Sequence, residues 1–161
     1  MNQASQRFIE RMGLNFSDEG VPRIAGRLFA LLLLSTSPRS LDDLARSLDV
    51  SKASISTNAR LLQQWGAIDR VSLPGDRRDY YQIAEDGITR LLQIQIDRLR
   101  RMQETIEEAR NEIDLQDAEI VRRRLDRIRT FQAEFLDILR ALLDRWSSED
   151  PLAYRPPTLD R

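Results

Sequence analysis

The sequence predicts a mainly α-helical fold that contains one small β-hairpin. Apolar residues recur at helical spacing over most of the chain, which is the pattern of amphipathic helices. Strand-like alternation of apolar and polar residues appears on both sides of one turn-rich loop at residues 74–79. An apolar repeat of about 3.5 residues then fills the C-terminal half, as is typical of long paired helices. We therefore expect a small helical unit with a hairpin, followed by a long helical hairpin.

Composition limits the classes of function that the chain can have. It has 161 residues and a formal net charge of -1, so any affinity for nucleic acid must come from local basic patches. It contains no Cys and no His, which excludes disulfides, thiol redox sensing, zinc sites built from Cys and His, and His as a general base. No Gly-rich phosphate loop or nucleophile motif occurs. The sequence therefore predicts neither an enzyme nor a bound cofactor or metal.

Residues 1–21 predict an N-terminal amphipathic helix and a link. Phe8 and Met12 share one side of a helix over residues 1–13, and residues 15–21 form a turn-rich link. The segment lacks the charged start, the long apolar run and the cleavage site of a signal peptide. We therefore expect a cytoplasmic protein that makes no contact with a membrane.

Residues 22–86 are predicted to form the unit that contains the β-hairpin. The first element of this unit is a helix in its core. Pro22 suits the first position of that helix, which extends to about Ser35. Its apolar stretch, residues 28–34, is far shorter than the roughly 20 residues that cross a bilayer. Because the stretch is apolar on several sides, we expect the rest of the unit to be built against it.

Two short helices follow, and local signals mark their ends. Ser40 and Asp43 form a capping box at the start of the first helix. Asp49 stands in the turn, where it can adopt a left-handed backbone conformation. Ser51 caps the second helix and Gly66 ends it. These signals predict a helix-turn-helix pair.

The outer side of the second helix is small, polar and free of acids. No carboxylate occurs between Val50 and Ile68, although acids are frequent elsewhere. Side chains of this kind can enter the major groove and hydrogen-bond to base edges, and the basic ones can meet bases or phosphates. This side carries Lys52, Ala53, Ser56, Thr57, Arg60 and Gln64. The alternative is a surface helix of a small bundle, because helix-turn-helix pairs also occur without DNA.

The hairpin that follows has a basic tip. Two short strands flank the loop at 74–79, and Arg77 and Arg78 lie at its end. An arginine on a protruding loop can enter the minor groove, and Asp76 or Asp79 can hold its guanidinium by paired hydrogen bonds. An isolated pair of arginines is usually a solvated tip. Because Arg77 and Arg78 come directly after a helix with a polar, acid-free side, DNA contact is the favoured interpretation. Residues 22–86 are therefore predicted to form a winged helix-turn-helix with a two-stranded wing.

Residues 87–146 predict two long helices and residues 147–161 a disordered, Pro-containing tail. The apolar repeat of the first helix comprises Ile88, Leu92, Gln95, Leu99, Met102, Ile106, Ala109 and Ile113. After a break at 111–116, the repeat of the second helix comprises Val121, Leu125, Ile128, Gln132, Phe135, Leu139, Leu142 and Trp146, and it is widened by Phe131, Leu136, Ile138 and Leu143. The two helices can pair antiparallel and bury the surplus apolar surface against a second subunit, which predicts a homodimer. Use of that surface within one chain is the alternative.

Three runs in this order resemble the MarR superfamily of bacterial transcription regulators, in particular the branch typified by the glycine betaine synthesis regulator. They are VSKASIS at 50–56, WGAI at 65–68 and PGDRRDYY at 74–81. Upstream, PRIAGRL at 22–28 is similar to the segment that opens the first domain helix of that branch. The resemblance implies a homodimer of winged helices that binds double-stranded DNA at a palindromic operator, usually as a repressor.

The resemblance also implies site residues. Contacts from the second helix of the pair fall on Lys52, Ala53, Ser54, Ser56, Thr57 and Arg60, and contacts from the wing fall on Asp76, Arg77 and Arg78. Ala84 departs from the pattern, because many relatives have a Thr there that caps the next helix. A small-molecule effector is implied, and in this branch its class includes choline-like quaternary amines, which require an aromatic cage. The candidates are Phe8, Phe16, Phe29, Trp65, Phe131, Phe135 and Trp146.

A protein-interaction adaptor that does not bind DNA is the competing interpretation. The near-zero net charge and the surplus apolar side of the long helices favour it. Salt dependence separates the two, because DNA binding weakens steeply with salt whereas apolar protein contacts change little.

Overall fold

The structure, a computed structural model, describes residues 2–112 and 119–147. In this part of the chain, six α-helices and a sheet of three short antiparallel strands confirm the predicted fold class. The chain divides into two units, Met1–Arg90 and Leu91–Arg161. No helix within the described ranges has the length and apolar character that would let it cross a membrane.

The first helix, α1 (Gln3–Asp18), is longer than the sequence predicts. The side chain of Asn2 caps it by accepting a hydrogen bond of 2.8 Å from the Ser5 N–H. The link predicted at 15–21 is wrong in its first half, because the helix continues through Phe16. That ring stacks on Phe29 with centroids 6.0 Å apart, so tertiary packing extends the helix beyond its local signals.

Helix α2 (Arg23–Leu33) packs closely against α1. A Cβ atom added at Gly26 would lie 2.6 Å from the carbonyl oxygen of Met12, so only Gly allows this approach. Pro22 occupies the N-cap position rather than the first helical position, and α2 ends before the predicted Ser35. The predicted burial of α2 is confirmed, because it supplies six of its residues to the interior of the first unit.

The two short helices, α3 (Leu41–Leu48) and α4 (Lys52–Gln64), begin where their capping signals predict. The Ser40 Oγ accepts a hydrogen bond of 3.2 Å from the Asp43 N–H, and the Ser51 Oγ accepts one of 3.1 Å from the Ser54 N–H. Asp49 has a φ of 52° in the turn between the helices. The predicted left-handed turn and both predicted caps are therefore confirmed.

The sheet contains β1 (Arg39–Ser40), β2 (Ile68–Val71) and β3 (Tyr80–Ile83), in the order β1-β3-β2. The sequence predicts only the two strands of the wing, and β1 is an addition. With two residues, β1 is too short to show any alternation, and it forms because Ser40 pairs with Tyr80 across the sheet. Strand β2 ends at Val71, so Leu73 lies outside the strand in which the alternation placed it.

Burial in the first unit fixes the orientation of α4. Its inner side chains Ile55, Ala59 and Leu62 are fully buried, and they share one core with residues of α2, α3 and β2. Burying a side chain the size of Ile or Leu stabilises a fold by about 1.5–3 kcal/mol. Because the inner side is committed to the core, the opposite side of α4 must face outward.

The second unit contains most of α5 (Gly87–Glu112) and all of α6 (Glu119–Trp146). Ile96 packs with Leu136 and Leu139, and the guanidinium of Arg110 pairs with Asp126 at 3.1 Å. Early residues of α5 thus meet late residues of α6, which confirms the predicted antiparallel pair. Helix α5 includes residues 111 and 112, the first two of the break predicted at 111–116. The rest of that break, including Ile113 of the predicted repeat, lies outside the described residues. The tail predicted at 147–161 also lies outside them, apart from Ser147.

The side of α6 that packs against α5 includes residues from both the predicted repeat and its widening. The side of α6 that meets α5 carries Gln132, Leu136 and Leu139, whereas Ile128 and Phe135 are exposed. Helix α6 is apolar on two sides, so spacing alone does not determine which side packs against α5. Contacts with the partner helix make that choice.

Candidate nucleic-acid interface

The exposed side of α4 brings the predicted helix residues together. Lys52, Ala53, Thr57 and Arg60 are exposed, and Ser54 and Ser56 are partly exposed. Since no residue of α4 is acidic, this side presents two cations among small and hydroxyl-bearing side chains. Such a surface can approach a polyanion closely and hydrogen-bond to it.

Lys52 is held at the start of α4 by an ion pair with α3. Its Nζ lies 2.8 Å from the Asp42 Oδ1, and its side chain is 65% exposed. An exposed pair of this kind contributes little to stability and exchanges readily with solvent or another anion. Lys52 is therefore placed near its partner while remaining available to a phosphate.

Arg60 is held only loosely. Its Nε donates a long hydrogen bond of 3.4 Å to the carbonyl oxygen of Ser56. Within residues 2–112 and 119–147 it makes no ion pair with a carboxylate. Most of its five N–H donors are therefore available to an acceptor outside the chain.

Asn58 is a buried polar residue of α4 that the sequence did not lead us to expect. Its side chain is buried, and its Nδ2 donates a hydrogen bond of 2.8 Å to the carbonyl oxygen of Ser54. Its position one residue before Ala59 on the inner side of the helix was the signal that could have found it. Asn58 thus hydrogen-bonds to the preceding turn of α4 and lies on the side away from solvent.

The tip of the wing is organised around Arg78. Its Nε lies 2.9 Å from the Asp76 Oδ2, and its Nη2 donates to the same oxygen at 2.5 Å and to the Tyr80 Oη at 2.7 Å. The Tyr80 hydroxyl in turn donates to Asp76 at 2.7 Å. The hydrogen bonds from Arg78 hold the pKa of Asp76 well below its usual range. Asp76 is therefore a charged acceptor that orients Arg78. This is one of the two predicted arrangements, in which either Asp76 or Asp79 holds the guanidinium of a tip arginine.

The other predicted arrangement is wrong, because Asp79 pairs with a different arginine. Arg70 of β2 donates through its Nε to the Asp79 Oδ1 at 2.8 Å. Arg77 is exposed, and no carboxylate pairs with it in the described part of the chain. The two tip arginines thus differ, since Arg78 is held in place and Arg77 is unpaired.

The wing is joined to the helix-turn-helix at its base. The Leu41 N–H donates a hydrogen bond of 3.2 Å to the carbonyl oxygen of Asp79. The hydrogen bond from Ser40 lowers the pKa of Asp43, and the charges of Arg46, Arg39 and Arg78 act in the same direction. The pairing of β1 with β3, this backbone hydrogen bond and the action of the Arg78 charge on Asp43 therefore connect the wing to the N-terminus of α3.

Several of the aromatic residues proposed for a cage have other contacts. The ring of Phe16 stacks on Phe29, and its centroid lies 6.4 Å from that of Trp65. Together with Phe8, all three pack against the core of the first unit. The quaternary-amine effector stays a prediction.

A helix-turn-helix with an acid-free outer helix, followed by a basic β-hairpin, defines a winged helix-turn-helix protein. Residues 19–79 match the sequence model of the MarR family. A protein whose crystal structure is described as that of a transcriptional regulator is 33% identical, and the match covers 89% of this chain and 98% of that one, with a TM-score of 0.78. The chain therefore belongs to the MarR family.

Two curated relatives match a shorter region. The HTH-type transcriptional regulator MmpR5 of Mycobacterium tuberculosis is 44% identical over 77 residues, which are 47% of each chain. The HTH-type transcriptional repressor OpcR of Bacillus subtilis is 24% identical over 86 residues, which are 53% of this chain and 46% of the relative. In these matches the chain spans about half the length of the curated relatives.

Proposed function

We propose that this protein is a sequence-specific DNA-binding transcription regulator that acts as a homodimer on an inverted-repeat operator. The observation that carries the proposal is the outer side of α4, which is acid-free and exposed while the inner side is fixed in the core. A rigid helix with short polar side chains and two cations suits insertion into the major groove.

In the proposed complex, the residues of α4 divide between bases and backbone. Arg60 reads a guanine, since a guanidinium can donate twice to the O6 and N7 of that base. Ser56 and Thr57 hydrogen-bond to base edges, and Ala53 contacts a thymine methyl group. Lys52 exchanges Asp42 for a phosphate.

The wing supplies a second contact, in the minor groove. Arg78 uses its Nε and Nη2 on Asp76 and Tyr80, so its Nη1 edge is available to an acceptor on DNA. Fixing the guanidinium in advance lowers the entropy cost of binding. Arg77 has no such support and serves as a phosphate contact.

Exposed apolar residues on α6 support the proposed homodimer. Phe131 is 65% exposed and Ile138 is 58% exposed, and the rings of Phe131 and Phe135 stack with centroids 6.1 Å apart. A monomer in water rarely leaves such large apolar side chains clustered and uncovered. We propose that residues 87–146, with help from residues 1–21, bury this surface against a second copy.

The dimer defines the expected operator. Two recognition helices that enter successive major-groove turns are about 34 Å apart, so the half-site centres lie about 10–11 base pairs apart. We propose that the regulator represses, as the name of the relative OpcR states for that protein. A place in the glycine betaine synthesis regulator branch and control by a small-molecule effector are part of the same proposal and rest on the resemblance of residues 22–28 and 50–81.

The test is a selection of bound fragments from the source genome, followed by titration of the recovered duplex at several salt concentrations. If six or more phosphates are contacted, affinity falls by about a thousandfold or more between roughly 50 and 200 mM salt. A scrambled duplex of equal length is the control. Binding that ignores salt, or the absence of any bound duplex at low salt, would favour the adaptor interpretation and overturn the proposal.

A further inference from the structure

Lys52 is chemically unique in this chain. It is the sole lysine, and every other side-chain cation is an arginine. An ammonium group can lose its proton and act as a nucleophile, whereas a guanidinium stays protonated. Apart from the α-amino group, Lys52 is therefore the one position in the sequence where an acyl group can readily remove a positive charge.

That position is the first residue of α4, on the proposed DNA-binding side. The side chain is 65% exposed, so its amine is accessible to a reagent or an enzyme. The ion pair with Asp42 does not block access, because the Asp42 side chain is itself 43% exposed.

Acylation here would change the local charge in two ways. It would convert the ammonium group into a neutral amide and so remove one cation from the interface. It would also leave the carboxylate of Asp42 without the partner that now lies 2.8 Å away. The unpaired carboxylate of Asp42, in α3 beside the start of α4, would then repel the phosphates.

We propose that Lys52 is a regulatory acylation site whose modification weakens DNA binding. The unprotonated Nζ attacks the carbonyl carbon of an acyl phosphate or an acyl thioester. The N–C bond forms as the C–O or C–S bond breaks, phosphate or thiol leaves, and the proton from nitrogen passes to solvent. This inference rests on the proposed DNA-binding function.

The test compares operator affinity before and after acetylation of the full chain. The protein is incubated with acetyl phosphate in one arm and with acetyl-coenzyme A in the other, and mass spectrometry determines the occupancy of Lys52. Losing a charge-assisted contact should weaken operator binding by about tenfold or more. Circular dichroism before and after treatment checks that the fold persists.

The matched control is Lys52→Arg, compared with its own untreated form. This variant keeps a cation but can be acetylated only at its α-amino group, so treatment should leave its affinity unchanged relative to its untreated form. Lys52→Gln removes the charge without any reagent and should reproduce the loss.

The results distinguish failure of the proposed DNA-binding function from failure of the acylation proposal. Failure of the untreated protein to bind any duplex would overturn the proposed function and this inference with it. If the untreated protein binds, three results overturn the inference alone. They are affinity unchanged at full Lys52 occupancy, an equal loss in treated Lys52→Arg, and no modification of Lys52 by either donor.

Discussion

The two units of this chain bury apolar surface in different ways. The first unit encloses a continuous core with residues from α1, α2, α3, α4 and the sheet. Among the described residues of the second unit, the core cluster has three buried members, Ile96, Leu136 and Leu139, and large apolar side chains such as Phe131 remain exposed. A unit with its own core can hold a binding surface rigid, whereas a narrow seam with an uncovered side needs a further partner.

Leu31→Asp should break the first unit, and it is the largest effect we expect. Leu31 is 4% exposed in the core, and an unpaired carboxylate there should cost about 4 kcal/mol or more of the free energy of unfolding. Urea denaturation followed by circular dichroism measures it. Leu33→Asp, on the same helix at 49% exposure, should change stability by only about 0.5 kcal/mol. Equal effects of the two substitutions would contradict the assigned core.

Phe131→Asp should break the association of the second unit while the first unit stays folded. If Phe131 is central to a dimer interface, its loss should raise the dimer dissociation constant by about thirtyfold or more, which corresponds to roughly 2 kcal/mol. Sedimentation equilibrium gives this constant. Ala133→Asp adds the same charge on another side of α6, where Ala133 is exposed, and should leave association intact. A monomeric parent protein would remove the basis for the prediction.

Arg60→Ala should weaken DNA binding without lowering stability, because it changes the surface of the first unit without touching its core. We expect operator binding to weaken by about 1–3 kcal/mol, with relaxed base preference at one position. The free energy of unfolding should stay within about 0.5 kcal/mol of the parent. Fluorescence anisotropy against duplexes that vary at single base pairs measures the preference. Unchanged affinity and preference in a folded variant would show that Arg60 does not read DNA.

Asp76→Asn should have the smallest effect, a loosening of the wing tip. The pKa of Asp76 is lowered chiefly by its hydrogen bonds with Arg78. The ordering it provides is therefore complete above its ordinary value of 3.8 and is lost only as the pH falls through the lower folded pKa. NMR of the Arg78 Nε–H should show the signal broaden in the variant at neutral pH, and operator affinity should fall less than for Arg60→Ala.

Asp79→Asn is the control for the wing, because Asp79 pairs with Arg70 and not with Arg78. The Arg78 signal should remain sharp in that variant. A parent protein whose Arg78 signal is already broad at neutral pH would show that the wing tip is not preorganised.

Local signals in the sequence predicted those parts of the first unit whose interactions are local. The Ser40 and Ser51 caps and the left-handed Asp49 each depend on atoms within a few residues of one another. The acid-free side of α4 and the basic tip of the wing are likewise visible in the order of residues. Which tip arginine is held could not be read in this way, since Asp76 and Asp79 both lie within reach along the chain.

By itself, the sequence determined the number of helices, the caps and turns, the wing and the chemistry of the exposed α4 residues. The tertiary structure alone decided that α1 continues through Phe16, that Ser40 and Tyr80 add a third strand, and which side of α6 meets α5. The physical reason is range. Caps, turns and helical periodicity arise from neighbours along the chain, whereas these features arise from contacts between residues far apart in sequence, which no local pattern specifies.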